Sequence, residues 1–174
     1  MKRLVPAAFL ALALFASPAS ARPPEVSQAL PGSERVGQAQ YRALSVLLFS
    51  AETWAAGGDF SWDEPFALTL TYHRNARAST LINRSIREMS GRGAGSAETL
   101  APLRAQFARC FPNVSRNDRI TGVSTGPDSA RFYFNGAHRC DVRWPGFRRT
   151  FFGIWLAGRD GPAAEISARL RGER

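Results

Sequence analysis

Between Phe66 and Met89 the apolar residues change their period from that of a strand to that of a helix, which demands a fold where the two share one core. Phe66, Leu68, Leu70 and Tyr72 alternate with Ala67, Thr69, Thr71 and His73, so this strand has one oily face and one bearing hydroxyls and an imidazole. From Ser79 the spacing becomes helical. Leu81, Ile82, Ile86 and Met89 fall on one side and Arg84 and Arg87 opposite, with Ser79 as N-cap and Gly91 as stop. Ser85 sits toward the apolar side, where its hydroxyl either faces a pocket or bonds back to its own helix. A second helix is predicted from Ser96 to Arg109, with Leu100, Leu103 and Phe107 on one face and Pro112 barring continuation.

Strands follow. Arg119 to Thr125 and Ala130 to Asn135 flank Gly126-Pro127-Asp128-Ser129, a hairpin loop, and a third strand runs after Gly136 through His138 to Val142. Phe147, Phe151, Ile154 and Trp155 recur at helical spacing, and Pro162 to Leu170 makes a final short helix. Upstream, Arg42 to Trp54 reads as one mostly apolar central strand, broken by Gly57-Gly58-Asp59. The loop after it, with Phe60, Trp62, Asp63 and Glu64, is either a solvated turn or a cover over a pocket mouth. Antiparallel strands with helices segregated to one side define an α+β domain.

At the N-terminus, Lys2 and Arg3 precede an apolar run from Leu4 to Ala16 and the small residues Ala19-Ser20-Ala21. That is a secretory signal with cleavage after Ala21; the run falls short of the roughly 20 residues that span a bilayer. The chain therefore divides into a signal over 1–21, an extended lead-in over 22–35 around Arg22-Pro23-Pro24, and one domain over 36–174, located in the periplasm or secreted. Losing Lys2 and Arg3 takes the 23 cations to 21, all arginine, against 14 acidic residues, so the net charge falls from +9 to +7. Guanidinium forks match phosphate geometry, but no helix-turn-helix, finger or RNA-binding signature accompanies them, so nucleic acid is not an expected partner. The bulk field leaves room for transient contact with anionic membrane lipid.

Cys110 and Cys140 are the only cysteines, and in an oxidising compartment they are expected to pair as a structural disulfide. The rival is a metal site from Cys110, His138 and Cys140, which lacks the usual fourth ligand. No metal or cofactor is expected.

Four apolar blocks in order, Phe111-Pro112-Asn113-Val114, Asp118-Arg119-Ile120-Thr121-Gly122, Phe132-Tyr133-Phe134-Asn135-Gly136 and Phe151-Phe152-Gly153-Ile154-Trp155-Leu156, resemble the chalcone isomerase-like family of exported bacterial proteins. Ser45 to Trp54 and Phe66 to Tyr72 stand where that family places its first long strands. The resemblance implies an open-faced β-sandwich, a large antiparallel sheet with a helix layer on one face and a ligand cleft between them. On that analogy Thr69, Thr71, Tyr72, Ser85 and the segment from Phe151 to Leu156 surround the ligand, and Arg42 anchors a carboxylate. Trp155 and Tyr72 contact the ligand as aromatics with an apolar body and a polar tip.

The family includes isomerases and fatty-acid binders. Its isomerases hold a phenolate with an Arg, aided by a strand Thr and by a Tyr and Asn that order water around the ketone. Here the strand Thr falls near Leu44, the Tyr and Asn have no counterpart, and only Arg35 or Arg42 could supply the Arg. Phe49 stands where a Tyr is common, Ser50 where an Asp is common, and Phe134 where a His often precedes Asn-Gly, so each change removes a polar group. No Gly-x-Ser-x-Gly elbow, His-Glu-x-x-His or phosphate loop is present, and His73 and His138 have no nucleophile in motif context. No catalytic residue is assigned. The expectation is a periplasmic protein that binds a small apolar ligand such as a fatty acid. Its rivals are an isomerase or lyase acting on an unsaturated lipid-derived ketone, using Arg42 with Tyr72 or Thr71, and an accessory protein that works through a protein partner.

Overall fold

A computed structural model describes residues 21–173; apart from Ala21, the expected signal lies outside the described residues. Strands β1 (Ser33–Ala43), β2 (Val46–Ala56), β3 (Phe66–Tyr72), β4 (Arg119–Gly126), β5 (Ser129–Phe134) and β6 (Ala137–Arg143) form one sheet in sequence order, antiparallel throughout. A short helix α1 (Pro24–Ala29) precedes them, α2 (Ala78–Gly91) and α3 (Ala101–Cys110) join β3 to β4, and α4 (Phe147–Leu156) and α5 (Gly161–Leu170) follow β6. This is the α+β open sheet that the sequence predicts.

The oily face of β3 does what its alternation requires. Phe66, Leu68, Leu70 and Tyr72 join Ile120 and Phe132 of the neighbouring strands, and α2, α3 and α4 close over them with Ile82, Ile86, Met89, Phe107, Phe147, Phe151 and Phe152. The rings interlock edge-on and stacked, as in Phe132 against Phe151 at 5.4 Å and Phe147 against Phe151 at 4.9 Å. The Cys110–Cys140 disulfide forms, with Cα atoms 5.3 Å apart, and fixes the last residue of α3 to the middle of β6.

Four local expectations are corrected. The stretch from Arg42 to Trp54 is not one central strand: it turns back at Leu44 and Ser45, both at positive φ (45° and 68°), making β1 and β2 a hairpin with β1 at the sheet edge. Two successive positive-φ residues match the twist of paired strands, but Leu-Ser carries no Gly or Asn to announce the turn. The lead-in over 22–35 is not outside the fold: α1 buries Glu25 and Val26, and β1 begins at Ser33. Nor are all helices on one side, because Val26 packs with Trp54, Ala67, Val123 and Tyr133 on the opposite sheet face. Ser79 does not cap α2, which starts at Ala78; the Asn113 amide oxygen accepts the Ala78 N–H at 2.9 Å instead.

The loop bearing Phe60 and Trp62 is held to the core rather than over a cleft. Both rings pack on Phe66, and the buried guanidinium of Arg148 donates to the Trp62 carbonyl at 2.9 Å and to the Ser124 hydroxyl at 2.7 Å. Burial pulls the Arg148 pKa down, opposed by the charges of Asp63 and Glu64. At the other end of the sheet β1 meets α5 so closely that a Cβ on Gly37 would lie 1.9 Å from the Arg169 carbonyl oxygen, a backbone atom that cannot swing aside. Gly37→Ala is therefore expected to cost about 1–3 kcal/mol through forced separation of β1 and α5. A denaturant midpoint equal to that of the parent would refute this close approach.

Candidate functional site

The helix layer does not seal the sheet completely. A cleft of about 490 Å³ remains between the oily face of β3 and β4 on one side and α2 and α4 on the other. Its floor is Leu68, Leu70, Ile120 and Phe132, and Phe151, Phe152 and Trp155 form the α4 wall. Gly122 lies in the floor because nothing larger fits: a Cβ there would come within 2.9 Å of the Phe132 ring and 3.1 Å of the Phe152 ring.

One rim is built by cross-strand register. Tyr41 lies opposite Phe49, and Phe49 opposite Tyr72, so three aromatics stand in a row on the cleft side of β1, β2 and β3. Tyr41 and Phe49 stack at 4.5 Å, and Phe49 meets Tyr72 at 6.0 Å. Burial pushes both tyrosine hydroxyls well above their ordinary pKa, and the nearby charge of Arg92 offsets part of the rise at Tyr41. Both are therefore neutral hydroxyls near pH 7.

The facing rim comes from α2. Leu81, Ser85 and Glu88 line it, and Glu88 is paired with Arg84 at 2.8 Å. The Ser85 hydroxyl makes no hydrogen bond back to its helix among the described residues, so it faces the cleft. One residue past the end of α2, Arg92 crosses α4 at Gly153, where its Nη1 lies 3.6 Å from the position of a Cβ. Nη1 donates to the Ala157 carbonyl at 3.1 Å, whereas Nε is buried without a partner. No carboxylate pairs with Arg92 among the described residues. The cleft, the Arg92 guanidinium on its wall and two neutral hydroxyls together can receive an anionic or carbonyl head on an apolar tail.

The residues predicted from sequence divide between two places. Tyr72, Ser85, Trp155 and Arg42 line the cleft. Thr69 and Thr71 do not, because adjacent residues of a strand point to opposite faces. Thr69 is buried on the opposite sheet face, sharing a hydrogen bond at 3.2 Å with Thr121, which in turn donates to Glu25 of α1. Thr71 opens into a second, more polar groove of about 690 Å³ along the sheet edge, with Gln40, Glu52 and His73. There Ser50 Oγ and His73 Nε2 are 2.8 Å apart, a pairing hidden in sequence by their separation of 23 residues. Arg42 is exposed at the mouth of the cleft and is engaged with the Gln40 amide at 3.1 Å and the Ser45 carbonyl at 3.3 Å. The deeper cation is Arg92, one residue beyond the Gly91 that ends the helical pattern in the sequence. It lies three residues beyond Met89 and seven beyond Ser85, so the stripe carried one turn further would have found it.

No protein-family model matches this sequence, and no curated protein matches it. Its fold is similar to that of a fatty-acid binding protein of Arabidopsis thaliana, at a TM-score of 0.57 and 11% identity over 82% of this chain and 86% of that one. That neighbour is chalcone isomerase-like, so the fold expected from the sequence blocks is the fold found.

Proposed function

We propose that this protein, exported after cleavage near Ala21, binds a small apolar ligand with an acidic head, of which a fatty acid is the leading candidate, in the cleft between sheet and helices. The observation that carries this reading is Arg92: a guanidinium on the cleft wall, beside an apolar floor, with no carboxylate partner among the described residues. The acyl chain would lie along Leu68, Leu70, Ile120, Phe151 and Trp155, and the carboxylate would accept from Arg92 and the Tyr41 or Tyr72 hydroxyl. The cleft volume is within the roughly 300–1,000 Å³ of ordinary ligand sites. A fatty-acid binding fold neighbour supports the ligand class. The open cleft counts against an accessory protein whose pocket is filled by its own side chains.

Titration with palmitate is expected to be saturable at one site. Arg92→Gln is expected to weaken it by about 10- to 100-fold, the loss of charge-assisted hydrogen bonds. Arg42→Ala is expected to change it less than about fivefold, since an exposed cation contributes little. Absence of saturable binding, or a larger loss from Arg42→Ala than from Arg92→Gln, would defeat the proposal. An unsaturated ketone incubated with the protein and recovered chemically altered would favour an isomerase in the same cleft.

A further inference from the structure

The β1–β2 hairpin reaches past its neighbour. The last paired residues of β2 and β3 are Phe49 and Tyr72, so residues 43–48 project beyond the end of β3, tied only by the His73 N–H donating to the Leu48 carbonyl at 2.8 Å. The projecting sequence is Ala43-Leu44-Ser45-Val46-Leu47-Leu48, apolar but for one serine. Leu44 at its tip is 100% exposed and Val46 is 40% exposed. These are the two large apolar side chains most exposed among the described residues, and they flank Ser45 at the hairpin tip. Exposed leucine held at positive φ gains nothing from the fold, so the tip is costly unless something covers it.

The charge around the tip indicates what covers it. From Arg35 to Ala51 and from Pro65 to Arg87, segments that run the length of the sheet up to this end and on through the start of α2, there is no acidic residue, while Arg42, Arg74, Arg77 and Arg84 are all exposed. Arg116 joins them, its N–H donating to the Asn75 amide oxygen. The carboxylates that do approach are engaged: Glu88 with Arg84, and Asp118 with the Ser115 N–H and the Asn135 amide. An apolar wedge at an end of the sheet where exposed guanidinium groups, Arg42, Arg74, Arg77 and Arg116, outnumber carboxylates complements an interface with oil below and phosphate above.

We propose that the β1–β2 hairpin tip docks the protein on an anionic lipid surface, with Leu44 and Val46 entering the acyl region and the surrounding arginines meeting headgroup phosphates. The base of the same hairpin, through Tyr41, Arg42, Leu48 and Phe49, forms the cleft mouth, so docking aims that mouth at the bilayer. Docking stands on the tip alone; transfer of ligand from bilayer to cleft rests on the function proposed above.

Flotation of the exported protein with phosphatidylglycerol vesicles tests it, against phosphatidylcholine vesicles and with both Leu44→Asp and Val46→Asp in one variant. Both side chains are exposed, and Asp tolerates positive φ, so the variant keeps its fold. Retention on the anionic vesicles that falls at least about tenfold in the double variant, and falls with added salt, is the expected result. The inference is overturned if the parent does not float, if the variant floats equally, or if the tip instead joins two copies, seen as a parent dimer that becomes monomeric in the variant without lipid binding. Palmitate titration in solution separates the two proposals: the variant is expected to bind as the parent does, and failure of both to bind would remove the cleft reading while leaving docking intact.

Discussion

Replacing Cys110 and Cys140 together by alanine is expected to lower the unfolding free energy by about 3–4 kcal/mol, because the bridge closes a loop of 30 residues in the unfolded chain. For a domain of this size the melting temperature should fall by roughly 10 °C, and a reductant should move the parent toward the variant. The folded-state contacts of α3 should survive. Gln106 clamps the Arg143 backbone at both ends, accepting its N–H at 3.1 Å and donating to its carbonyl at 3.2 Å, and Phe107 and Phe111 stack at 4.9 Å in the aromatic core. Far-ultraviolet circular dichroism of the variant is therefore expected to match the parent below the transition. An unchanged melting temperature would mean that the bridge adds nothing to a helix already fixed by packing. Lost helicity would mean that packing alone cannot hold α3.

Periodicity made β3, α2 and the later hairpins legible, since each presents an unbroken apolar row and ends at Gly, Pro or Asn. It failed where the signal was local and weak. Leu44-Ser45 carries no turn residue, so β1 and β2 merged into one expected strand, and the edge position of Arg42 was hidden with them. In α1 three polar residues and a proline surround Val26, a composition that reads as a lead-in unless the buried partners of Glu25 are known. The threonines are a different failure. The alternation in β3 already placed Thr69 and Thr71 on the face away from Leu68, Leu70 and Tyr72, and a cleft can take one set or the other but not both. Fold analogy, which groups them with Tyr72, conflicts with that alternation.

Arg119→Leu is expected to be among the most destabilising single changes in the chain, about 3–5 kcal/mol at pH 7, because it strands a charge. The Glu25 side chain is 0% exposed, and its carboxylate accepts from Arg119 Nε at 2.8 Å, Arg119 Nη2 at 3.0 Å and the Thr121 hydroxyl at 2.8 Å. Burial alone would raise the Glu25 pKa. The Arg119 hydrogen bonds, a backbone N–H, the Thr121 hydroxyl and the Arg119 charge together outweigh it and hold the carboxyl below its ordinary value. A lowered folded-state pKa contributes stability above the unfolded-state value, lost as pH falls through the folded one, so the parent weakens in acid. Without Arg119 the balance reverses. Burial then dominates, the carboxyl pKa rises, and the variant should gain stability relative to the parent as pH is lowered from 7 toward 5. Adding Glu25→Gln to Arg119→Leu removes the charge as well and is expected to recover a large part of the loss, giving strong positive coupling in a double-mutant cycle. Additive effects of the two changes, or a variant whose deficit does not depend on pH, would show that α1 is held by Val26 and its apolar neighbours rather than by this carboxylate.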